Sequence, residues 1–502
     1  MALKQPVIVI GAGIAGLVAA QRLAQAGLDV TVLETAAAPG GKMRQLAVGG
    51  ALIDSGPTVL TMLWVFEEIF AQAGAALRDF VTLRQADILA RHAWGPHQQL
   101  DLYADMDRSC DAIGAFAGAR EAQAYRAFSA EAAQIYTLLE APFLRAECPS
   151  PLRFAARMGA AGFQLQPFTT LAKALARHFR DPRLRQLFGR YATYSGASPY
   201  LAPATLMLIA HVERMGVWLV EGGMQALARA LEALAVKSGV RFGYGATARR
   251  IEAERGRVCA VTLASGERLA AGAVVFNGDA AALASGLLGA AVRAAVPAIA
   301  PARRSLSALT VSMLAKTSGF PLQHHNVFFS RDYRAEFDDL MLRRRLPGEP
   351  TVYVCAQDRG QDREKNRDGA ALTDGAAERL FLIINAPPHG DTQPSTQAEI
   401  DACLNQSFAL LRRCGLMIET EAQAMQVTTP TDFNRLFPAT GGALYGMVPH
   451  GWMASFQRPG AASLLPGLYL AGGSAHPGAG VPMAALSGRL AAARLLADRR
   501  LT

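Results

Sequence analysis

Four apolar residues, Val7 to Ile10, open the patterned part of the chain and are followed at once by Gly11, Gly13 and Gly16. An Ala/Leu-rich segment with helical period then runs to about Gln25, Gly27 supplies a stop, and a second apolar run, Val30 to Leu33, ends on Glu34. This pattern predicts strand, tight turn, helix, strand: the first βαβ unit of a dinucleotide-binding fold. Downstream, helical periodicity dominates from about Leu60 to His211, with a clear start in "RDPRLRQLF", where Asp181 is the expected N-cap and Pro182 the first helical residue. From 216 to 279 the pattern changes to one helix followed by short alternating strands with glycine-containing turns. The Ala-rich stretch 281–304, with Pro297 and Pro301, reads as a crossover, and "DRGQDREKNRDG" (358–369) as an exposed loop. The last stretch, "LPGLYLAGGSAHPGAGVPMAALSGRLAAARLLADRR", is again strand, glycine-rich turn, helix. Two such units at opposite ends predict one α/β domain assembled from distant segments, with other pieces inserted between them. No internal repeat is visible.

The remaining bulk properties narrow the choices. A chain of 502 residues is long enough for about three structural units. Its net charge of +9 and pI near 9.4 suit an acidic partner such as anionic lipid. The basic residues are scattered, however, and the densest run, Arg343-Arg344-Arg345, has no aromatic stripe beside it, so no nucleic-acid partner is expected. Six cysteines (Cys110, Cys148, Cys259, Cys355, Cys403, Cys414) contain no C-x-x-C, and the histidines show no ligand spacing, so no metal is expected. His324 and His325 are adjacent, and on a strand they would point to opposite faces. No secretory signal is expected, and no apolar run reaches the roughly 18 residues of a bilayer span. Yet 51% of residues are hydrophobic, which fits greasy surfaces or a large apolar cavity.

Gly11 allows the turn, Gly13 admits a pyrophosphate to the backbone, and Gly16 lets helix and strand close up. Glu34 is placed to accept hydrogen bonds from a ribose diol and would repel a 2′-phosphate, so the ligand is FAD or NAD. Further features favour FAD. Gly40-Gly41-Lys42 makes a second close backbone approach with a cation that meets either the pyrophosphate or an adjacent carboxylate, and Asp54-Ser55-Gly56-Pro57-Thr58 forms a tight turn beside the cofactor. At the other end Gly472-Gly473 ends a strand, and Gly478, Gly480, Val481 and Pro482 lead into a helix whose N-terminus favours the negative charge of a reduced flavin ring. No second G-x-G-x-x-G follows a strand, so electrons are expected to leave to oxygen, a quinone or another carrier.

The blocks "GAGIAGL", "ETAAAPGGKM", "DSGPT" and "AGGSAHPGAGVPMA" together resemble the FAD-dependent phytoene desaturase and carotenoid oxidoreductase family, related to the flavin amine oxidases. "GPTVLTMLWVFEEIF", "LRQLFGRYATYSGASPYLAPATLMLIAHVE", "HNVFFSRDY", "TVYVCAQDR" and "TGGALYGMVPHGWMASFQRPG" are similar to one subgroup, the 1-hydroxycarotenoid 3,4-desaturases of purple phototrophic bacteria. The resemblance implies a Rossmann-like FAD-binding domain from residues 1–75, 216–290 and 440–502. It also implies a helix-rich, membrane-facing substrate region at 76–215 and a mixed substrate-binding domain at 291–439. It places Gly11, Gly13, Gly16, Glu34, Gly41, Lys42, Gly472 and Gly473 at FAD, and the backbone of "GATARRI" (245–251), Ala248 included, beside the adenine.

Such an enzyme removes two hydrogens from adjacent carbons of a lipophilic carotenoid, a task that needs positioning and dryness more than acid–base groups. No catalytic residue is assigned. His450 and His476 are candidates for a polar group near the ring, each with packing as the competing role, and Phe188, Tyr191, Tyr194, Tyr200 and Trp218 are candidates for a tunnel wall, with plain core as the alternative. The resemblance further implies peripheral attachment to the cytoplasmic side of a membrane. Alternatives are another carotenoid desaturase or isomerase, a flavin amine oxidase, and a redox-inactive prenyl-lipid carrier on the same fold.

Overall fold

A computed structural model describes residues 6–147, 149–360 and 376–500. Five parallel strands form the nucleotide-binding sheet in the order Leu468–Leu470, Ala273–Phe276, Val7–Ile10, Val30–Glu34, Arg241–Tyr244. Val7 pairs with both Val30 and Ala273, so the strand ahead of the first glycine turn is the central one. A parallel sheet must be covered on both faces, and the uninterrupted apolar runs of its central strands are what that burial requires. On one face the helix Ile14–Gln25 packs against Met224–Lys237 and Val481–Arg500. The approach is close: a Cβ on Gly16 would stand 2.1 Å from the Gly11 carbonyl oxygen, and one on Gly488 only 2.2 Å from that of Ala15. On the other face lies a three-stranded antiparallel sheet, Ala248–Glu254, Arg257–Leu263 and Arg268–Ala270.

The second large sheet is mostly antiparallel. Its order is Met417–Glu419, Ser307–Ser318, Glu378–Ala386, Val352–Ala356, His325–Phe328, Ile88–Gly95, Gln98–Tyr103, with Met425–Thr428 also pairing to Ser307–Ser318. The last two strands come from within the helix-rich region. Helices do fill most of 64–214, and Pro182–Gly189 starts as expected with Asp181 accepting from the Arg183 N–H at 2.8 Å. The hairpin 88–103 nevertheless leaves that region and joins the sheet through a parallel pairing with His325–Phe328. Its alternation is hard to see because the register shifts twice, between Ile88 and Ala90 and between Ala93 and Gly95.

Cys110, Cys259, Cys355, Cys403 and Cys414 are all free, while Cys148 and residues 361–369 of the expected loop lie outside the described residues. Asp358, at the start of that loop, is held in an ion pair with Arg379. Two members of the basic run, Arg343 and Arg345, pair with Asp339. No helix among the described residues is long and apolar enough to cross a membrane.

Candidate cofactor site and its cavity

The two N-terminal glycine motifs converge. Gly13 and Gly40 form a parallel bridge, with the Gly40 N–H donating to the Ala12 carbonyl at 2.9 Å. A Cβ on Gly41, whose φ is +58°, would lie 3.3 Å from the Gly13 Cα, and a Cβ on Gly13 would lie 2.7 Å from the Asn277 side chain. Only glycine leaves this floor open to a pyrophosphate. Glu34 is fixed over the same turn: its carboxylate accepts from the Ala12 N–H at 2.7 Å and the Ala36 N–H at 2.8 Å. Each carboxylate oxygen has a second lone pair for a ribose hydroxyl. Next to it, the Gly245 and Ala246 N–H groups donate to the Ala36 and Glu34 carbonyls, so "GATARRI" begins at the nucleoside end of the groove. Ala248 lies just beyond, in the first pair of the antiparallel sheet.

The Asp54–Thr58 turn closes over the second glycine motif. A Cβ on Gly56 would come within 1.9 Å of the Lys42 carbonyl, which explains the glycine. Asp54 itself accepts from the Met224 N–H at 2.8 Å and thereby caps the helix Met224–Lys237. Pro57, half-buried, leads to Thr58, which shares a 2.7 Å hydrogen bond with the Tyr353 hydroxyl. Lys42 takes neither of its expected partners, pyrophosphate or carboxylate: Nζ donates to the Leu444 carbonyl at 2.5 Å and lies 5.2 Å from the Phe437 ring centre. Burial lowers its pKa, opposed by the nearby Asp279.

At the C-terminal motif, Gly472 (φ +126°) donates its N–H to Ser487 and its Cβ position faces Asn277, so Gly472-Gly473 abuts the first glycine turn. Gly478 and Gly480 also have positive φ, and the helix begins at Val481 with Pro482 in its first turn. Two residues that sequence reasoning passed over hold this arrangement. The Asn277 amide donates to the Gly11 carbonyl and touches all three turn glycines. The buried Arg458 guanidinium donates to the carbonyls of Gly473 (2.8 Å), Tyr445 (3.0 Å) and Met447 (2.8 Å). Burial brings its pKa down to about 10. An arginine in "FQRPG", between two glycine-rich blocks, was the available signal.

Lys42, Arg190, Tyr194 and Tyr445 are each half-buried, and with Lys42 on the Leu444 carbonyl and Arg190 over the Tyr194 ring we read them as bordering the cavity beside the second glycine motif. Of the five aromatic candidates, Tyr194 takes that place. Phe188 is instead plain core, packed on Phe128 and Phe179, and Tyr191 is buried with its hydroxyl donating to Glu213 at 2.8 Å. Tyr200 packs on Phe337 beneath Arg334, along a separate surface cleft of ≈ 670 Å³ that none of the cofactor residues line, and Trp218 is half-buried in a strand paired with Leu83–Gln85.

Both candidate histidines take the packing role. His450 Nε2 accepts from the Ser198 N–H at 3.1 Å, and burial depresses its pKa to about 4. His476 Nε2 faces the Phe143 and Ala146 carbonyls at 2.9 and 3.0 Å, so it carries the proton there, and burial lowers its pKa. The expected separation of His324 and His325 does not occur, because the strand starts only at His325. Their rings meet edge to face at 4.6 Å, with Cys355 Sγ 3.5 Å from His324 Nε2.

A glycine-floored groove between two helix N-termini, with a carboxylate at one end placed to accept from a ribose, is the arrangement of a flavoprotein oxidoreductase. The chain belongs to the flavin containing amine oxidoreductases, FAD-dependent enzymes whose family model matches residues 14–496. Among curated proteins it is 54% identical to a hydroxyneurosporene desaturase of Rubrivivax gelatinosus, over 98% of this chain and 93% of that one. It is 47% identical to a hydroxyneurosporene desaturase of Cereibacter sphaeroides, over 98% and 97%. The fold is shared with an oxidoreductase from Methanosarcina mazei (TM-score 0.61, 17% identity, 96% of this chain and 99% of that one). It is shared also with cyclohexylamine oxidase of Brevibacterium oxydans (TM-score 0.56, 18% identity, 99% and 100%).

Proposed function

We propose that this chain is a carotenoid desaturase that introduces the 3,4 double bond into 1-hydroxy acyclic carotenoids of the neurosporene or lycopene type. The observation that carries the reading is the 54% identity to a hydroxyneurosporene desaturase, which is not confined to the nucleotide motifs but extends over 98% of this chain. A 1-hydroxycarotenoid 3,4-desaturase of a Flavobacterium, 29% identical over 97% of the chain, supports the same reaction.

Bound FAD supplies the two-electron acceptor. The protein's part is to hold the polyene against it in a dry cavity, with His450 and His476 held by backbone hydrogen bonds. Electrons then pass to a quinone or to oxygen.

Access from a membrane is part of the proposal. Leu152, Phe163 and Phe168 are each about four-fifths exposed, and Leu201 and Trp452 about half. Phe168 and Trp452 touch edge to face at 5.7 Å, which makes them one patch. The helix Pro151–Met158 buries none of its residues and carries Arg153 and Arg157. Apolar side chains beside exposed cations are what a monotopic surface presents to anionic lipid on the cytoplasmic face.

The deciding experiment is anaerobic incubation of the FAD-loaded protein with liposomes carrying 1-hydroxyneurosporene. Bleaching of the flavin together with a red shift of the carotenoid is the expected result. Flavin binding with neither spectral change refutes the substrate assignment.

A further inference from the structure

We propose that Arg190 binds the substrate's tertiary hydroxyl and so selects hydroxylated over plain hydrocarbon carotenoids, an inference that rests on the desaturase reading above. Arg190 begins the short helical turn Arg190–Ser195, inside the "GRYATYSG" stretch. It is half-buried and keeps accessible surface between the rings of Tyr194 and Tyr353. Burial works against its charge, but Tyr194, Glu213, Tyr333 and Tyr353 more than offset that, so the guanidinium stays protonated.

What surrounds the cation uses only part of its donors. The Tyr194 hydroxyl takes one hydrogen bond from it, and the rings of Tyr194 and Tyr353, 5.5 and 5.4 Å away, stabilise its charge. The nearest acid, Glu213, has one oxygen on the Tyr191 hydroxyl and the other on that of Tyr194, and among the described residues Arg190 makes no ion pair. A guanidinium offers five N–H groups and accepts none, so its guest must bring an acceptor oxygen. A cation in a cavity meant for a hydrocarbon is costly unless it meets such an oxygen.

The position fits the chemistry as well. Tyr353, under Arg190, is hydrogen-bonded to Thr58 in the turn that covers the second glycine motif. Tyr445, whose pKa burial raises and the charge of Arg190 pulls back down, adjoins the Leu444 carbonyl that takes Lys42. Arg190 therefore stands at the cofactor end of the cavity. In a 1-hydroxy carotenoid the hydroxylated carbon is two carbons from the first carbon of the new double bond, so the hydroxyl must arrive at that same end. A site built to donate to a hydroxyl rejects the analogue lacking it far more strongly than an apolar wall does, because its own donors go unmatched.

The test compares 1-hydroxyneurosporene with neurosporene, each in liposomes, for FAD-loaded wild type, Arg190→Leu and Arg190→Lys. Wild type is expected to favour the hydroxylated carotenoid in kcat/KM. Arg190→Leu should narrow that preference by about 10- to 100-fold, mostly through KM, with flavin content and flavin spectrum unchanged, and Arg190→Lys should fall between. Equal wild-type rates on the two carotenoids, or an unchanged ratio in a folded Arg190 variant, overturn the inference. The wild-type ratio and the Lys variant decide the matter if the Leu variant does not fold. Failure of wild type to convert either carotenoid brings down the desaturase reading and the inference with it, whereas conversion of both without preference removes only the inference.

Discussion

Replacing Arg458 by Met isolates what holds the flavin-end turn in place. The thioether fills most of the space of the arginine stem, so the change removes charge and donors more than packing. Three hydrogen bonds to the Gly473, Tyr445 and Met447 carbonyls are lost, each from an ionised donor and each at 2.8–3.0 Å. At about 1.5–3 kcal/mol apiece they total roughly 4–9 kcal/mol gross. Against this stands the cost of burying the cation, visible in a pKa brought down from 12.5 to about 10. At 1.36 kcal/mol per unit, that returns about 3 kcal/mol when the charge is removed. The net expectation is a loss of about 3 kcal/mol, concentrated at Gly472-Gly473 and the start of the helix Val481–Arg500.

Because the lost contacts hold the turn and not the sheet, flavin should leave before the fold does. Guanidinium titrations of Arg458→Met, followed by flavin fluorescence and by far-ultraviolet circular dichroism, are expected to separate into two transitions where wild type shows one. Both proteins must be measured at the same excess of FAD, since ligand binding itself adds stability by mass action. Arg458→Lys, with a point charge that reaches fewer of the three carbonyls at once, should recover only part of the loss. A coincident pair of transitions in Arg458→Met, shifted by less than about 0.5 kcal/mol, would refute the assignment.

Three other outcomes follow from the same structure. Glu336 is buried, accepts from Ser330 and from both N–H and hydroxyl of Thr351, and has its pKa raised from 4.5 to about 7 chiefly by burial. The folded state holds a proton that the unfolded chain releases, so this contribution is complete below about pH 4.5 and is lost as pH rises through 7; Glu336→Gln should remove up to about 3 kcal/mol of that pH dependence, and an unchanged stability profile would count against it. Glu34→Gln leaves one oxygen to serve the Ala12 and Ala36 N–H groups and the ribose, so FAD affinity should drop about 10- to 100-fold in a fluorescence titration, and an unaltered dissociation constant would deny Glu34 its role. Phe168→Glu with Trp452→Glu should abolish flotation with anionic liposomes while detergent-solubilised activity persists; undiminished flotation would place the docking surface elsewhere.

The cofactor groove was legible in the sequence because its demands are local. A strand that ends at Ile10, glycines where a Cβ would strike the Gly11 carbonyl or Asn277, and a carboxylate at the end of the next strand each leave a mark within a few residues of one another. The same holds for Gly56 against Lys42, since both belong to one short stretch of chain. The wall of the cavity left no such mark. Phe188, Tyr191 and Tyr194 lie within seven residues and look alike in a pattern, yet one is core, one serves Glu213 and only one meets the cavity. Which face a ring presents there is decided by segments far along the chain.

Arg458 and Arg190 were hidden for the same reason, and the difference between them is informative. Arg458 answers carbonyls 11–15 residues away, on the turns it ties together, so its donors are spent on the fold. Arg190 lies between rings contributed by Tyr194, nearby in sequence, and by Tyr353 of the opposite sheet, and among the described residues only the Tyr194 hydroxyl takes one of its donors. A buried cation whose hydrogen bonds close on its own backbone is a structural device. One that is charge-stabilised but not donor-saturated, beside the cofactor turns, has the chemistry of a ligand site. It is this contrast, not the presence of arginine in either place, that makes the hydroxyl the group to vary first.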